Sequence, residues 1–473
     1  MFLRVLTRRV RRYQGPSPPR VHHAQRRTAT VQSTDVGHRR FSFTETDPHV
    51  VPGAPNKRVS VDPQGHELTK LEFQEEPLGL TRDQGHGYLR VSFGEAIGPD
   101  ERYQVVRKLG WGMHGSVWMA YDRKAKKYVA VKALKGHMTD LFNKGVAWEL
   151  PAWQRLASTP PAPGVEPGHI PPLLAHFIHR GREQDGEHLC FVTDVMGGDV
   201  KRLQIEGAKQ KPFPLSLAKR ILLHTLHGLA HMHHCEFVHT SLASDNIMFD
   251  VGSAEIVALI EGDPPRLHPR EESWKGTVQA AVTQPLPLPP MVGATIRTYL
   301  LSDFSRAQPF GNHTLDVLTA PPLRAPEILL QGPWGKKIDI WAFGCLIYEL
   351  VTAHALFEIG PRPQAGLDKS TAHLWQMLCT TQERIPREMI EKSQLGPHYF
   401  NLPCNPEELY CDLKVDMAVE ANPFRALLKR HRILNDEDLS STAKIMQRCL
   451  RLDPKERATA QELLQDPWWQ GAA

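Results

Sequence analysis

The chain reads Tyr103-Gln-Val-Val-Arg-Lys-Leu-Gly-Trp-Gly-Met-His-Gly-Ser-Val-Trp-Met-Ala-Tyr121, with three glycines between two strand-like segments. Alternating apolar residues predict a strand over Tyr103–Leu109, and strand character resumes over Val117–Tyr121. A glycine-rich hairpin lets backbone N–H groups approach phosphates, because no side chain obstructs them. A dinucleotide-binding motif needs a helix after its glycines, so the second strand disfavours a Rossmann fold. The stretch therefore predicts a β-hairpin that can hold phosphates.

The composition is that of a folded protein, with 41% hydrophobic and 23% charged residues in a chain of 473. Residues 1–40 contain ten Arg against the single Asp35, a charge of +9, whereas the whole chain carries +5. The remainder is therefore mildly acidic. The seven cysteines are scattered without a C-x-x-C pair, which predicts reduced intracellular thiols and no zinc site. No run of 18 apolar residues is present, so no membrane span is predicted.

Two interpretations of the basic N-terminal segment, residues 1–40, stay open. Residues 1–34 contain eight Arg and no Asp or Glu, with apolar residues near helical spacing. This composition is typical of a mitochondrial transit peptide, but a disordered basic tail has it as well. Residues 41–100 form a lead-in. Its first part, to about Gly87, lacks periodicity and is predicted to be poorly ordered, whereas Tyr88–Glu95 is predicted to be a short strand.

Further motifs follow the glycine-rich hairpin in a definite order. A helical pattern covers Leu217–His233, and a Pro-rich insertion covers about residues 250–297. The motifs are, in chain order, Val129-Ala-Val-Lys132, Phe191-Val-Thr-Asp-Val-Met196, His239-Thr-Ser-Leu-Ala-Ser-Asp-Asn246, Asp303-Phe-Ser305, Ala325-Pro-Glu327, Asp339-Ile-Trp-Ala-Phe-Gly344 and Leu452-Asp-Pro-Lys-Glu-Arg457.

This ordered set, over roughly residues 103–469, resembles a protein kinase, and specifically the fungal SR-protein-specific serine/threonine kinases. The features that carry the finer match are Lys108-Leu-Gly-Trp-Gly112 with Ser116-Val-Trp118, Glu75-Glu76 and Phe93-Gly-Glu95 in the lead-in, the pair His239-Thr240, and the Pro-rich insertion. The resemblance implies an α+β, bilobal fold. Its smaller, mainly β N-lobe would span residues 101–196, and its larger, mainly α C-lobe residues 197–470.

The resemblance also implies a site for ATP and Mg²⁺. Lys132 would contact the α and β phosphates and pair with Glu149, while Asn246 and Asp303 would bind the metal. The residues that the resemblance assigns to the ATP site are Leu109, Gly110, Gly112, Gly115, Val117, Ala130, Lys132, Thr193, Asp194 and Met196. Glu327, Asp339 and Arg457 would have structural roles, with Glu327 and Arg457 forming a buried ion pair.

Several positions depart from the family pattern. Ser241 stands where the family has the catalytic Asp, and Ala243 stands where it has a Lys that reaches the transferred phosphate. Loss of the base alone should cost on the order of 10²- to 10⁴-fold in rate. Ser305 replaces the glycine of D-F-G, although magnesium binding through Asp303 is still expected. Pro151 follows Glu149 by two residues and predicts a bent helix, with a Lys132–Glu149 pair that is distorted at rest.

Two functional interpretations from different classes therefore stay open. One is a serine/threonine kinase with weak catalysis, and the other is a nucleotide-binding pseudokinase that acts as a scaffold or allosteric partner. The resemblance implies a protein substrate, with the family's preference for Arg/Ser-rich segments, and a cytoplasmic or nuclear location. The basic N-terminal segment keeps the mitochondrion as an alternative. The body of the chain shows no nucleic-acid recognition module. Because Thr240 replaces the usual Arg, phosphate-gated activation is not expected.

Overall fold

The computed structural model describes residues 56–61, 67–273, 276–314, 319–405, 407–415 and 421–471. The basic N-terminal segment lies outside these residues, so the transit-peptide and basic-tail interpretations stay predictions. The same holds for the order of the lead-in before residue 56.

The first part of the described chain is rich in strands, and the second part is rich in helices. The strands are β1 (Asn56–Val61), β2 (Glu67–Glu72), β3 (Ala96–Ile97), β4 (Tyr103–Trp111), β5 (Gly115–Asp122), β6 (Lys127–Leu134), β7 (Ala175–Arg180), β8 (Glu187–Thr193), β9 (Met196–Asp199), β10 (Phe237–Val238), β11 (Ile247–Asp250), β12 (Glu271–Ser273), β13 (Gly276–Val278), β14 (Tyr299–Leu301), β15 (Gln308–Pro309), β16 (Ile385–Pro386), β17 (Phe400–Asn401) and β18 (Tyr410–Leu413).

The helices are α1 (Gly136–Asn143), α2 (Glu149–Ser158), α3 (Val200–Arg202), α4 (Leu215–His234), α5 (Ser253–Gly262), α6 (Met291–Ala294), α7 (Pro326–Leu329), α8 (Lys337–Thr352), α9 (Lys369–Thr381), α10 (Arg387–Glu391), α11 (Gly396–Tyr399), α12 (Phe424–Arg430), α13 (Asp436–Cys449) and α14 (Ala460–Leu464). Within the described ranges, no helix combines the length and the apolar character that crossing a membrane requires.

The small lobe is built on a six-stranded antiparallel sheet with the strand order β3-β4-β5-β6-β8-β7. The predicted hairpin is confirmed, since β4 and β5 pair antiparallel on either side of the glycines. Alternate residues of β4, such as Tyr103 and Val105, are buried in one core with Val129, Val131 and Val192. The period-two pattern of the sequence therefore reflects a sheet with one face packed.

The large lobe is helical and is organised around α8. Nearly every residue of α8 is buried, as expected for a helix that is apolar on all sides and lies inside the lobe. The predicted helix over Leu217–His233 is confirmed as α4, which packs against α8, α14 and β14. A short sheet with the order β14-β11-β9 lies at the lobe junction. The predicted bilobal α+β fold is confirmed.

The prediction of a strand over Tyr88–Glu95 is wrong. Tyr88 and Leu89 are buried, but they pack on the sheet without joining its hydrogen-bond ladder. Gly94 has φ +86°, and a turn links the Glu95 N–H to the Ser92 carbonyl. Strand pairing with β4 is confined to the next two residues, in β3. Before them, the Gly94 N–H donates to the Val105 carbonyl and the Val105 N–H donates to the Glu95 carbonyl, both at 2.8 Å.

The described end of the lead-in is packed against the small lobe, contrary to the expected poor order. The Lys108 side chain is fully buried, and its ammonium group contacts Glu76 and lies 2.6 Å from a Glu75 carboxylate oxygen. The same ammonium group lies 3.2 Å from the carbonyl oxygen of Ala281, in the insertion. Lys108 therefore joins the lead-in, the sheet and the insertion in one buried cluster.

The insertion, about residues 250–297, folds back onto the small lobe. The guanidinium group of Arg107 donates to the Gln284 carbonyl at 2.8 Å and pairs with Asp263. Ile256 and Leu286 are buried in a cluster with Val195, beside the connection between β8 and β9. The segment between β11 and β14 therefore lies along both the sheet and the lobe junction.

Candidate active site

Lys132 lies at the centre of the site, where it joins the two lobes. Its side chain extends from β6, and its Nζ lies 2.6 Å from Oε1 of Glu149, which begins α2 in the small lobe. The same Nζ lies 2.9 Å from Oδ1 of Asp303, which follows β14 in the large lobe. The structure thus brings together three predicted site residues as one charged group.

The expected distortion of the Lys132–Glu149 pair by Pro151 is wrong. Pro151 is the third residue of α2, and the first N–H groups of a helix have no intrahelical acceptor. A proline in the first turn therefore removes no helical hydrogen bond. The pair forms with a 2.6 Å contact, and Glu149 is almost fully buried.

Mutual attraction holds Lys132 and Asp303 in their charged forms. Burial opposes the ionisation of Asp303, but the Lys132 ammonium group outweighs it and lowers the pKa of Asp303 well below its usual range. Burial likewise opposes the charge on Lys132, yet the two carboxylates raise its pKa above the usual value. Burial raises the pKa of Glu149. A cation and an ionised carboxylate therefore face each other across the cleft at neutral pH.

The three glycines of the hairpin have different surroundings. A Cβ atom added at Gly110 or Gly112 would have no neighbour within 4 Å, so both positions border open space. At Gly115 a Cβ atom would overlap the Ala133 carbonyl oxygen of the neighbouring strand. The predicted phosphate cradle is thus available at Gly110 and Gly112. Close strand approach explains the glycine at 115.

Several residues predicted for the ATP site lie on adjacent strands. Val117 is paired with Lys132, and Ala130 is paired with Thr193 at the end of β8. The apolar motif Phe191–Met196 predicts a single strand that continues to Met196. In the structure, β8 ends at Thr193 and β9 begins at Met196. Asp194 lies in this connection, with its side chain 2.7 Å from Lys127. Leu109 packs beside the cluster that the insertion completes.

The segment His239–Asn246, which we call the catalytic loop, is fixed by Asp339 of α8. The two carboxylate oxygens of Asp339 accept the N–H groups of His239 and Thr240, each at 2.8 Å. One of them also lies 2.9 Å from Nε2 of His233. Asp339 is fully buried, so these bonds form away from water. Asp339, which was predicted to have a structural role, thus anchors the catalytic loop.

Asn246 lies beside the segment that leads to Asp303, since β11 and β14 pair next to it. Nδ2 of Asn246 donates to the Ser241 carbonyl at 2.8 Å. This bond leaves the amide oxygen, Oδ1, available to accept a ligand. The Asn246 carbonyl accepts the N–H of Ser302, the residue before Asp303, at 2.9 Å. Carboxylate and amide oxygens are the ligands that Mg²⁺ prefers. The residues present thus fit Mg²⁺, and the open glycine positions fit the phosphates of ATP.

Two residues near the site, Tyr88 and His114, were missed by the sequence-based predictions. The Tyr88 hydroxyl donates to the Gly112 carbonyl at 2.8 Å and so holds the glycine hairpin from the lead-in. His114, at the hairpin tip, is near enough to Asp303 and Lys132 to interact with their charges. Burial lowers the pKa of His114 to about 4, against the attraction of Asp303. The contact of Tyr88 spans 24 residues, which no local pattern reveals.

The large lobe contains the predicted buried ion pair. Arg457 donates from Nη1 and Nη2 to the two carboxylate oxygens of Glu327, at 2.6 and 2.7 Å. Both side chains are at least 98% buried. A bidentate guanidinium–carboxylate pair is directional, so it sets the position of α7 against the C-terminal part of the chain.

Comparison with known proteins agrees with this geometry. A family model for the protein kinase domain matches residues 103–260 and 295–469. The serine/threonine-protein kinase SRPK of Physarum polycephalum is 26% identical over 84% of this chain and 92% of its own length. Protein kinase dsk1 of Schizosaccharomyces pombe is 22% identical over 87% and 88% of the two chains. Serine/threonine-protein kinase AFC2 of Arabidopsis thaliana is 24% identical over 82% and 81%.

The family resemblance drawn from the motifs is confirmed by these matches. The gap in the family match, residues 261–294, falls within the predicted insertion. The match covers more than half of the chain and includes every residue of the site described above except Tyr88. The chain therefore belongs to the protein kinase family and is similar to serine/threonine kinases of the SRPK type.

Proposed function

We propose that this protein transfers the γ-phosphate of ATP to serine or threonine hydroxyls of protein substrates. The observation that carries the proposal is the position of Lys132, between Glu149 at 2.6 Å and Asp303 at 2.9 Å. Lys132 is thereby held in the cleft as a cation, with the metal-ligating carboxylate beside it. Phosphoryl transfer depends mainly on positioning and electrostatics, and this arrangement provides both.

Each group has a defined part in the proposed reaction. ATP and Mg²⁺ would supply the phosphoryl group and the charge that offsets its oxygens. Lys132 binds the α and β phosphates, and Glu149 keeps its side chain extended into the cleft. Asp303 and Oδ1 of Asn246 would hold the metal ion. The backbone around Gly110 and Gly112 borders the phosphates without a side chain in the way.

The catalytic loop sets the limit on the rate. Ser241 is too weak a base to remove a proton at neutral pH, and Ala243 provides no cation. General base catalysis is worth about 10²- to 10⁴-fold, so activity should be lower than with an Asp at position 241. The remaining contributions from positioning and charge are kept by Lys132 and Asp303.

Arg/Ser-rich protein segments are the proposed substrate class. The support is the similarity to kinases of the SRPK type, whose names describe serine/threonine kinases. A cytoplasmic or nuclear location is proposed on the same ground. The Arg-rich N-terminus keeps mitochondrial import as an alternative.

The test is single-turnover transfer of labelled γ-phosphate from ATP to an Arg/Ser-rich peptide. The natural chain is compared with Ser241→Asp and Asp303→Ala, and Asp368→Ala serves as a control at an exposed helix N-cap. A peptide with every Ser replaced by Ala controls for non-specific labelling. The expected result is slow labelling by the natural chain and the control, faster labelling by Ser241→Asp, and none by Asp303→Ala.

Labelling by Ser241→Asp alone would overturn the proposal. The fold would then be competent, but the natural protein would be a nucleotide-binding pseudokinase. Ser241 and Ala243 are the residues that favour that alternative. Equal labelling by the natural chain and Asp303→Ala would also contradict the proposed site, since the reaction would not need the metal-binding carboxylate.

A further inference from the structure

The hydrogen bonds around His239 determine which ring nitrogen carries the proton. Nε2 lies 3.0 Å from the carbonyl oxygen of Ser302, and a carbonyl can only accept. Nδ1 lies 3.3 Å from the backbone N–H of Ser241, which can only donate. Nε2 is therefore protonated, and Nδ1 presents a lone pair. His239 is fully buried, and burial lowers its pKa, which is consistent with a neutral ring.

The same lone pair determines the direction of the Ser241 hydroxyl group. Ser241 Oγ lies 3.4 Å from Nδ1 of His239, and an unprotonated nitrogen can only accept. The hydroxyl hydrogen is therefore directed to the imidazole. The two lone pairs of Oγ remain for other partners. Ser241 is only partly buried, so a ligand in the cleft can reach it.

We infer that Ser241 positions the substrate hydroxyl by accepting its hydrogen bond, and that His239 fixes Ser241 in this accepting orientation. This inference rests on the proposed phosphoryl transfer. A serine hydroxyl without a fixed orientation could equally donate to the substrate oxygen. That bond would direct the lone pair of the substrate oxygen away from phosphorus. The contact with Nδ1, at 3.4 Å, favours the accepting orientation instead. His239 is a positioning residue, since it acts through Ser241.

The proton balance does not require Ser241 to act as a base. The bond between the substrate oxygen and phosphorus forms as the bond between phosphorus and the ADP oxygen breaks. The hydroxyl proton then passes to an oxygen of the transferred phosphoryl group. In a loose transition state the nucleophile carries little charge, so orientation is the main contribution open to this position.

The kinetic test compares the natural chain with Ser241→Ala and Ser241→Thr in single-turnover transfer to the Arg/Ser-rich peptide. Ser241→Ala should transfer about 10-fold more slowly, as expected for the loss of one hydrogen bond. Ser241→Thr keeps a hydroxyl and should restore at least half of the natural rate. ATP affinity, measured by thermal shift, should be the same in all three. Equal rates for the natural chain and Ser241→Ala would overturn the inference.

The spectroscopic test uses the full chain labelled with ¹⁵N at histidine and does not depend on activity. The His239 ring is assigned as the one whose Nδ1 resonance moves in Ser241→Ala. The expected spectrum shows Nδ1 unprotonated and Nε2 protonated. A protonated Nδ1, or no histidine that responds to Ser241→Ala, would contradict the inference. A natural chain that labels no peptide would instead refute the proposed function, even if the ring shows the expected tautomer.

Discussion

The hydroxyl of Thr240 donates to the backbone carbonyl of Arg306 at 2.7 Å, and its own carbonyl accepts the N–H of Thr319 at 2.9 Å. The catalytic loop is thus joined to the segment after Asp303 by neutral hydrogen bonds. Thr240 has φ +67°, a conformation that its backbone bond to Asp339 supports. Thr240 is neutral, so this position provides no cation that could bind a phosphate group.

We expect Thr240→Val to weaken this junction. The variant keeps the shape of the side chain but leaves the Arg306 carbonyl with only the long contact to Nε2 of Gln308, at 3.4 Å. The loss of the shorter bond should cost about 1 kcal/mol of folding free energy. Peptide labelling should slow, because Asp303 lies three residues before Arg306. Thr240→Ser keeps the hydroxyl and is the control. Chemical denaturation measures the folding free energy, and single-turnover labelling measures the rate. If Thr240→Val has the same stability and labelling rate as the natural chain, the bond has no role.

Lys132→Met should weaken ATP binding about 10- to 100-fold, since a charge-assisted contact to the phosphates is lost. The measurement is the rise in melting temperature with ATP and Mg²⁺, each variant compared with its own ligand-free value. Lys124→Met is the control, because Lys124 is exposed in the turn between β5 and β6. An undiminished rise in Lys132→Met would exclude Lys132 from the nucleotide site.

Gly115→Ala and Gly110→Ala should separate strand packing from nucleotide binding. A methyl group at 115 meets the Ala133 carbonyl, so this variant should lose about 1 to 3 kcal/mol of stability. A methyl group at 110 meets no protein atom within 4 Å, so stability should hold while ATP affinity falls. Denaturation curves and ATP titrations of both variants check the difference. The opposite pattern would reverse the assignment of the two glycines.

Lys108→Met should destabilise the protein by about 3 to 5 kcal/mol, because Glu75 and Glu76 would remain buried without their cation. The triple variant Lys108→Met, Glu75→Gln, Glu76→Gln should recover part of this loss. Lys392→Met, which breaks an exposed pair with Glu388, should change stability by less than about 1 kcal/mol. Urea denaturation measures all three. A small effect of Lys108→Met would show that water reaches the cluster.

The stability of the natural chain should depend on pH through Asp199. Burial raises the pKa of Asp199 to about 6, from 3.8 in its ordinary state. The folded state therefore binds the proton more tightly, and ionisation of this group destabilises the fold increasingly up to about pH 6. Asp199→Asn removes this penalty while the amide oxygen can still accept the N–H of Arg202.

The melting temperature of Asp199→Asn should therefore exceed the natural value by more at pH 7.5 than at pH 4.5. Asp368→Asn is the control, because Asp368 caps α9 by the same contact on the exposed surface. Its difference from the natural chain should not vary in this way. If the difference in melting temperature between Asp199→Asn and the natural chain became smaller as the pH rises, ionisation of Asp199 would not destabilise the fold as proposed.

The fold class and the residue types available for catalysis could be predicted from the sequence. Strand alternation around the glycines and the helical pattern of α4 are local properties, so they were predicted within a few residues. Lys132, Glu149, Asn246 and Asp303 were assigned through the resemblance to protein kinases, because the motifs around them occur in the order of that family. The comparison with the protein kinase motifs also showed that Ser241 stands where the family has the catalytic Asp.

The arrangement of those residues depends on the tertiary structure. Lys132 pairs with an acid 17 residues away and with another 171 residues away, and only folding sets both distances. The role of Gly115 depends on the neighbouring strand, and the proton position on His239 depends on Ser302. The order of the lead-in depends on Lys108, whose partners come from segments 32 and 173 residues away. Local patterns do not encode such contacts, since each depends on which distant atoms lie within hydrogen-bonding range.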